Sequence, residues 1–144
     1  MKWYFKCLKQ YVDFSGRARR KEYWMFYLFN VIVSLVLFFV DGLIGTKIHG
    51  VGIISSVYSL AVFLPGLAVT VRRLHDIGKS GWNILLYSLF IVICYIGCIL
   101  SIIHFVIGIV SIVLLVISLI IFLVWMCKNS QPGDNKWGAN PKMA

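Results

Sequence analysis

The sequence predicts an all-α integral membrane bundle of four transmembrane helices, preceded by an N-terminal amphipathic helix at the membrane interface. Hydrophobic residues make up 60% of the 144 positions and charged residues only 13%, well below the roughly 25% of a soluble domain. No charged side chain occurs between Lys79 and Lys128, a run far longer than the roughly 20 residues that cross a bilayer. This run must therefore contain two helices and a hairpin. The whole chain, residues 1–144, is predicted to be one membrane domain.

Residues 2–13 show the periodicity of an amphipathic helix. Aromatic and aliphatic side chains fall on one side, and lysines and other polar side chains fall on the other. A lysine-rich helix of this kind lies in the plane of an anionic membrane surface. Packing of the same helix on the protein's own cytoplasmic loops is the alternative, and the sequence leaves both open.

The apolar runs set the positions of the spans. They are predicted at residues 23–43, 51–71, 82–101 and 105–126, followed by an irregular tail over 128–144. Pro65 lacks a backbone N–H and is expected to kink or break the second span. The segment from Arg72 to Trp82 is predicted to be a polar loop, in which Ser80 caps the third span. His104 marks the hairpin between the third and fourth spans.

Basic residues determine the expected orientation. Every lysine and arginine except Lys47 flanks the spans on the side that carries both termini. Because basic flanks stay in the cytoplasm, both termini are predicted to be cytoplasmic. Four crossings then bring three polar segments to the cytoplasmic face: Gly16–Glu22, Arg72–Gly81 and Pro132–Pro141. Any polar recognition is expected there.

The middle segment carries the strongest indication of a binding site. Two adjacent arginines precede His75-Asp76, and Lys79 stands between glycines just before a helix. Backbone donors at a helix N-terminus, together with a lysine, favour an anion such as phosphate. We therefore expect a site for anionic lipid headgroups or a partner protein, formed by Arg17, Arg19, Arg72, Arg73, His75, Asp76 and Lys79. The simpler interpretation is that these charges only fix the topology.

The leading hypothesis is a non-enzymatic scaffold or accessory subunit. The alternative is a small enzyme or carrier acting on a phosphorylated lipid or metabolite, with His75, Asp76 and Lys79 as the working groups. Histidine can exchange protons near neutral pH, but adjacent residues on a helix point about 100° apart. Gly78-Lys79-Ser80 is not a nucleotide-binding loop, because Arg73 stands where that motif requires glycine.

No cofactor and no metal site are expected, since the cysteines and histidines lack ligand spacing. The net charge of +9 is explained by membrane topology, and nucleic acid is not an expected partner. Small residues in the last two spans allow close helix contacts, within one chain or in a homo-oligomer. They are Gly97, Ser101, Gly108 and Ser111.

Three segments together resemble the signature of a bacterial family of small inner-membrane proteins, domain-of-unknown-function family 805. They are Phe14–Ala18 with Glu22–Trp24, Arg72–Asp76 with Gly78–Trp82, and Gly133 with Asn135–Gly138, Asn140 and Pro141. Two departures are mild: Arg20-Lys21 replaces a more neutral pair, and Trp137 replaces a tyrosine. The resemblance implies an inner-membrane location and this architecture, and it implies no activity.

Overall fold

The computed structural model of the chain describes residues 2–48, 50–100 and 105–142. Its elements are α1 (Lys2–Lys9), α2 (Arg20–Ile44), β1 (Lys47–Ile48), β2 (Val51–Gly52), α3 (Ile53–Asp76), α4 (Trp82–Leu100) and α5 (Phe105–Cys127). The four long helices are each long and apolar enough to cross a membrane. The predicted all-α membrane fold with four spans is therefore confirmed. The predicted hairpin at His104 lies outside the described residues.

Helices α2 and α3 form the first hairpin, and a small antiparallel ribbon of β1 and β2 joins them. The sequence predicts only a polar turn here. Asp41, near the end of α2, organises the connection because its carboxylate accepts a hydrogen bond from the Thr46 hydroxyl at 2.5 Å. It also accepts the backbone N–H groups of Ile54 at 3.0 Å and Ser55 at 2.9 Å. One buried carboxylate thus satisfies donors that the first turn of α3 leaves unpaired.

The end of α3 differs from the prediction. The helix continues to Asp76, so Arg72–Asp76 form its last turns, and the predicted loop from Arg72 is wrong. Only residues 77–81 connect α3 to α4. The apolar pattern ends at Arg72 because most of the residues that follow are polar. The helix nevertheless continues, because these polar side chains are buried against other parts of the chain. The Ser80 hydroxyl does accept the backbone N–H of Trp82, at 3.4 Å, where α4 begins.

Helix α3 runs through Pro65 without interruption, so a break there is excluded, and the predicted kink stays a prediction. Proline cannot donate a hydrogen bond to the carbonyl four residues earlier, which belongs to Ala61. That carbonyl instead accepts the Tyr11 hydroxyl at 2.5 Å. Tyr11 supplies the donor that the proline removes, and an unpaired carbonyl inside the bilayer is avoided.

Helix α1 ends at Lys9 and not at residue 13 as predicted, and it packs against α2 and α3. Cys7 is fully buried, and the Tyr4 ring stacks on Phe26 with the ring centroids 5.6 Å apart. The Tyr4 and Tyr58 hydroxyls are 3.0 Å apart. The structure therefore favours packing on the protein, although on two long helices and not on loops. The exposed side of α1 carries Lys2, Lys6 and Lys9.

Helices α4 and α5 form the second hairpin. A Cβ at Gly97 would overlap the Ser111 hydroxyl, so the glycine allows the two helices to approach closely. The two hairpins meet at the end of the bundle that carries both termini. There Met126 of α5 joins a buried cluster with Phe26, Leu74 and other side chains. The tail over residues 128–142 is irregular, as predicted, apart from one bridge between Asn135 and Gly138.

Candidate functional site at the polar face

The three polar segments of the sequence meet at one end of the bundle. The Ala18 N–H donates to the Arg72 carbonyl at 3.0 Å, and the Gln131 N–H donates to the Asp76 carbonyl at 2.8 Å. Backbone contacts thus join the segment before α2, the end of α3 and the tail. We call this end the polar face; it comprises residues 13–22, 72–81 and 128–142.

Asp76 is the centre of the polar face. Its side chain is fully buried and accepts three hydrogen bonds. Arg17 Nε donates at 3.1 Å, Arg73 Nη1 at 2.5 Å and the Ser130 hydroxyl at 2.6 Å. One carboxylate therefore faces two buried guanidinium groups, an arrangement that is stable only when the remaining donors also find partners.

The remaining donors of Arg17 bind the tail. Nη2 donates to the Gln131 carbonyl at 2.7 Å, and Nη1 donates to the Gly133 carbonyl at 2.8 Å and to the Gly138 carbonyl at 3.3 Å. A single side chain near the start of the chain thereby holds three carbonyls near its end. The fork of N–H donors on a guanidinium group suits this role, which a lysine could not fill.

Arg73 performs the corresponding task at the end of α5. Its Nε and Nη2 donate to the Met126 carbonyl at 3.3 and 3.2 Å, and Nη2 also donates to the Lys128 carbonyl. Arg20 Nη1 donates to the Cys127 carbonyl at 3.0 Å. The last carbonyls of a helix have no partner within it. The two arginines therefore cap α5 and attach it to the first hairpin.

Arg72 is buried against α1 and α2, with 2% of its surface exposed. Nη1 donates to the Asp13 carbonyl at 3.0 Å, and Nη2 is 3.8 Å from the Glu22 carboxylate. Nε and Nη2 have no hydrogen-bond partner within the described residues. Glu22 also pairs with Lys6 at 2.7 Å. Burial, reinforced by the charge of Glu22, raises the pKa of the Cys7 thiol to about 12, which disfavours its thiolate form.

His75 lies on another side of α3. Its ring stacks on Trp137, with the centroids 4.6 Å apart and the planes 10° from parallel. Nδ1 is 3.2 Å from the Gly16 carbonyl. A carbonyl only accepts hydrogen bonds, so Nδ1 carries a proton, and Nε2 of the neutral ring is an acceptor. Nε2 faces Gly81, 3.6 Å from the place that a Cβ there would occupy.

The other candidate residues lie at separate places. The Lys79 ammonium stands 4.2 Å from the centroid of the Trp125 ring, and Arg19 donates to the Pro141 carbonyl. His75, Asp76 and Lys79 therefore have different contacts among the described residues, whereas the enzyme or carrier alternative requires their side chains to converge. No group of three metal-ligating side chains occurs in the part of the chain that the structure describes.

The sequence did not single out two participants in this site, Glu22 and Ser130. Glu22 is an acid within a strongly basic stretch, and such an isolated acid is a recognisable signal for a buried ion pair. Ser130 gives no comparable signal, because serine is common in polar tails. Its contact with Asp76 spans 54 positions and depends on the folded backbone.

Comparison with known proteins adds an independent result. Residues 11–139 match the family described as protein of unknown function (DUF805). The chain is 40% identical over 144 residues to inner membrane protein YhaH of Escherichia coli strain K12, covering 99% of this chain and 98% of that protein. It is 37% identical over 143 residues to inner membrane protein YhaI of the same strain, covering 99% and 97%. No solved structure shows a significant match.

Proposed function

Since this chain belongs to the DUF805 family, as its motifs predicted, and its relatives are inner membrane proteins, we propose a non-enzymatic role at the membrane. The protein is a scaffold or accessory subunit whose polar face lies in the cytoplasm and contacts anionic lipid headgroups. The positive-inside bias of its basic residues supports this orientation.

The proposal rests on a difference in burial between the arginines and the lysines at this end. Arg17, Arg72 and Arg73 are buried and contact carboxylates and carbonyls of the protein, so they shape the face. The lysines at this end are mostly exposed and form what we call the lysine rim: Lys2, Lys6, Lys9, Lys21, Lys128, Lys136 and Lys142. Each basic residue near an anionic membrane contributes about 1 kcal/mol of attraction. Arg19 and Lys79 lie at the same end and are half-buried.

A lipid-selectivity measurement tests the contact. The variant with Lys2→Gln and Lys9→Gln removes two charges from the exposed side of α1. We expect the preference for phosphatidylglycerol over phosphatidylcholine, measured in nanodiscs of mixed composition, to fall by about 5- to 30-fold at low salt. Lys47→Gln is the matched control, because Lys47 lies at the opposite end of the bundle. An unchanged preference in the double variant would overturn the lipid contact.

Cysteine labelling tests the orientation separately. Lys47→Cys and Lys142→Cys place single reporters at opposite ends of the bundle, each in a chain whose own cysteines are replaced by serine or alanine. In intact cells, a membrane-impermeant maleimide is expected to label position 47 and to leave position 142 unlabelled until the cells are opened. The reverse pattern would overturn the cytoplasmic placement of the polar face.

A further inference from the structure

Two neighbouring cavities lie between the hairpins. The first has a volume of about 440 Å³, is open on one side and is lined by Phe14, the last turns of α3 and the first turns of α4. The second, of about 340 Å³, lies deeper in the bundle and has walls from α2, α3, α4 and α5. Leu67 and Ile84 belong to both walls. We refer to the two together as the cleft, and each volume falls in the range of about 300–1,000 Å³ that is typical of small-molecule sites.

The deep part of the cleft is apolar. Phe26, Phe63 and Phe122 form much of its wall. Polar side chains that reach it have partners within the protein: the Tyr27 hydroxyl is 3.0 Å from the Thr70 hydroxyl. Asn30 likewise donates to the Phe26 carbonyl and accepts the Tyr58 hydroxyl. A hydrocarbon chain in this part is held by van der Waals packing against the wall and finds little to hydrogen-bond with.

The outer part of the cleft is amphipathic, and His75 is its most informative side chain. His75 is only 8% exposed, and its Nε2 has no hydrogen-bond partner among the residues that the structure describes. Ser80, Gly81 and Trp82 line the same cavity at the start of α4. The positive end of the helix dipole there favours a negative group.

The protonation state of His75 indicates which lipid headgroup it can bind. In its neutral form the ring presents an acceptor at Nε2, which suits a ligand with an O–H or N–H donor. An ammonium donor is disfavoured by the cation nearby, since the Lys136 ammonium stands 4.3 Å from the centroid of the Trp137 ring that stacks on His75. A hydroxyl donor next to a phosphate suits both the imidazole and the helix end.

We propose that the cleft binds one molecule of an anionic glycerophospholipid whose headgroup carries a free hydroxyl, as in phosphatidylglycerol. An acyl chain occupies the deep part, the phosphate lies at the start of α4, and a headgroup hydroxyl donates to His75 Nε2. This inference takes the anionic lipid at the polar face from the proposed function, but it assigns a separate site that does not use the lysine rim.

The test is titration of the delipidated protein in mild detergent with phosphatidylglycerol or phosphatidylethanolamine, followed by native mass spectrometry. We expect one tightly held phosphatidylglycerol per chain. His75→Asn keeps a donor for the Gly16 carbonyl but has no acceptor at the place of Nε2, so its affinity should fall on the order of 3- to 10-fold. His75→Gln restores an acceptor there and should lie closer to the unaltered protein.

A second variant fills the deep part of the cleft. A Cβ at Gly66 meets Phe26 at 3.6 Å, an ordinary contact, and leucine favours a helix more than glycine does. Gly66→Leu should therefore fold and should lose the tightly held lipid. Ser88→Leu, on the exposed side of α4, is the matched control and should retain it.

The outcomes separate the two proposals. Undiminished binding of phosphatidylglycerol by both His75→Asn and Gly66→Leu overturns the cleft, and equal affinity for phosphatidylethanolamine overturns the assigned headgroup. Loss of the tightly held lipid in the two cleft variants, together with its retention when Lys2 and Lys9 are replaced, supports the cleft. That result holds even if the lysine rim proves to have no lipid preference.

Discussion

Replacing Asp76 by asparagine tests whether the polar face depends on one buried carboxylate. The substitution keeps the shape of the side chain but removes the charge that faces Arg17 and Arg73, whose side chains are 1% and 0% exposed. It also replaces one acceptor oxygen by an NH₂ group, which can only donate. At least one of the two guanidinium groups then loses its carboxylate acceptor.

The expected cost follows from these contacts. Asp76 accepts two hydrogen bonds from charged arginines, and each bond of this kind contributes about 1.5–3 kcal/mol. Removing one member of a buried ion pair costs about 3–5 kcal/mol, which agrees with that sum. We therefore expect Asp76→Asn to lower the free energy of unfolding by about 3–5 kcal/mol.

Unfolding by sodium dodecyl sulfate in mixed micelles, followed by tryptophan fluorescence, measures this loss. Trp137 lies at the polar face and the Trp125 ring contacts Lys79 of that face, so the signal includes the affected region. Asp134→Asn is the matched control, because Asp134 is exposed and, among the described residues, its side chain accepts the Asn140 N–H alone, at 3.3 Å. A loss for Asp76→Asn no larger than that for Asp134→Asn would refute the central role of Asp76.

Three further predictions concern the long helices. Tyr11→Phe should lower the free energy of unfolding by about 0.5–1.5 kcal/mol. In a Pro65→Ala background the loss should be almost zero, because the alanine N–H donates to the same carbonyl. Equal losses in the two backgrounds contradict this prediction. Gly97→Val should cost about 1–3 kcal/mol through overlap with Ser111, and thermal unfolding in detergent measures it; a variant as stable as the parent disproves close packing there. Asp41→Ala should cost about 0.5–2 kcal/mol and accelerate amide hydrogen exchange in the first turn of α3, whereas unchanged exchange counts against the capping role.

The sequence predicts most of the helix positions because the apolar runs alone determine where the chain can cross a bilayer. It misplaces the end of α3 because Asp76 and its neighbours are polar and yet buried, a combination that hydrophobic periodicity does not reveal. The carbonyl that Pro65 leaves without a backbone donor is bonded by Tyr11, which is 54 positions from Pro65 in sequence. Neither contact leaves a local signal.

For the candidate site, the sequence identifies the residues but not their partners. An arginine such as Arg17 has the same appearance in a sequence whether it binds a phosphate or three backbone carbonyls. The placement of the three polar segments on one side was predictable from the even number of crossings, whereas their contacts were not. Which residue bonds to which depends on distances in the folded chain. The predicted lipid contact and cytoplasmic orientation stay predictions.

The hydrogen bonds of Arg17 and Asp76 with the tail have a consequence for biosynthesis. Asp76 leaves the ribosome 54 residues before Ser130, which at about 5–20 residues per second is a delay on the order of 3–10 s. During this interval the first hairpin is complete while its buried acid lacks one of its three donors. The contacts that Arg17 and Asp76 make with the tail can therefore form only after the last segment of the chain has been synthesised.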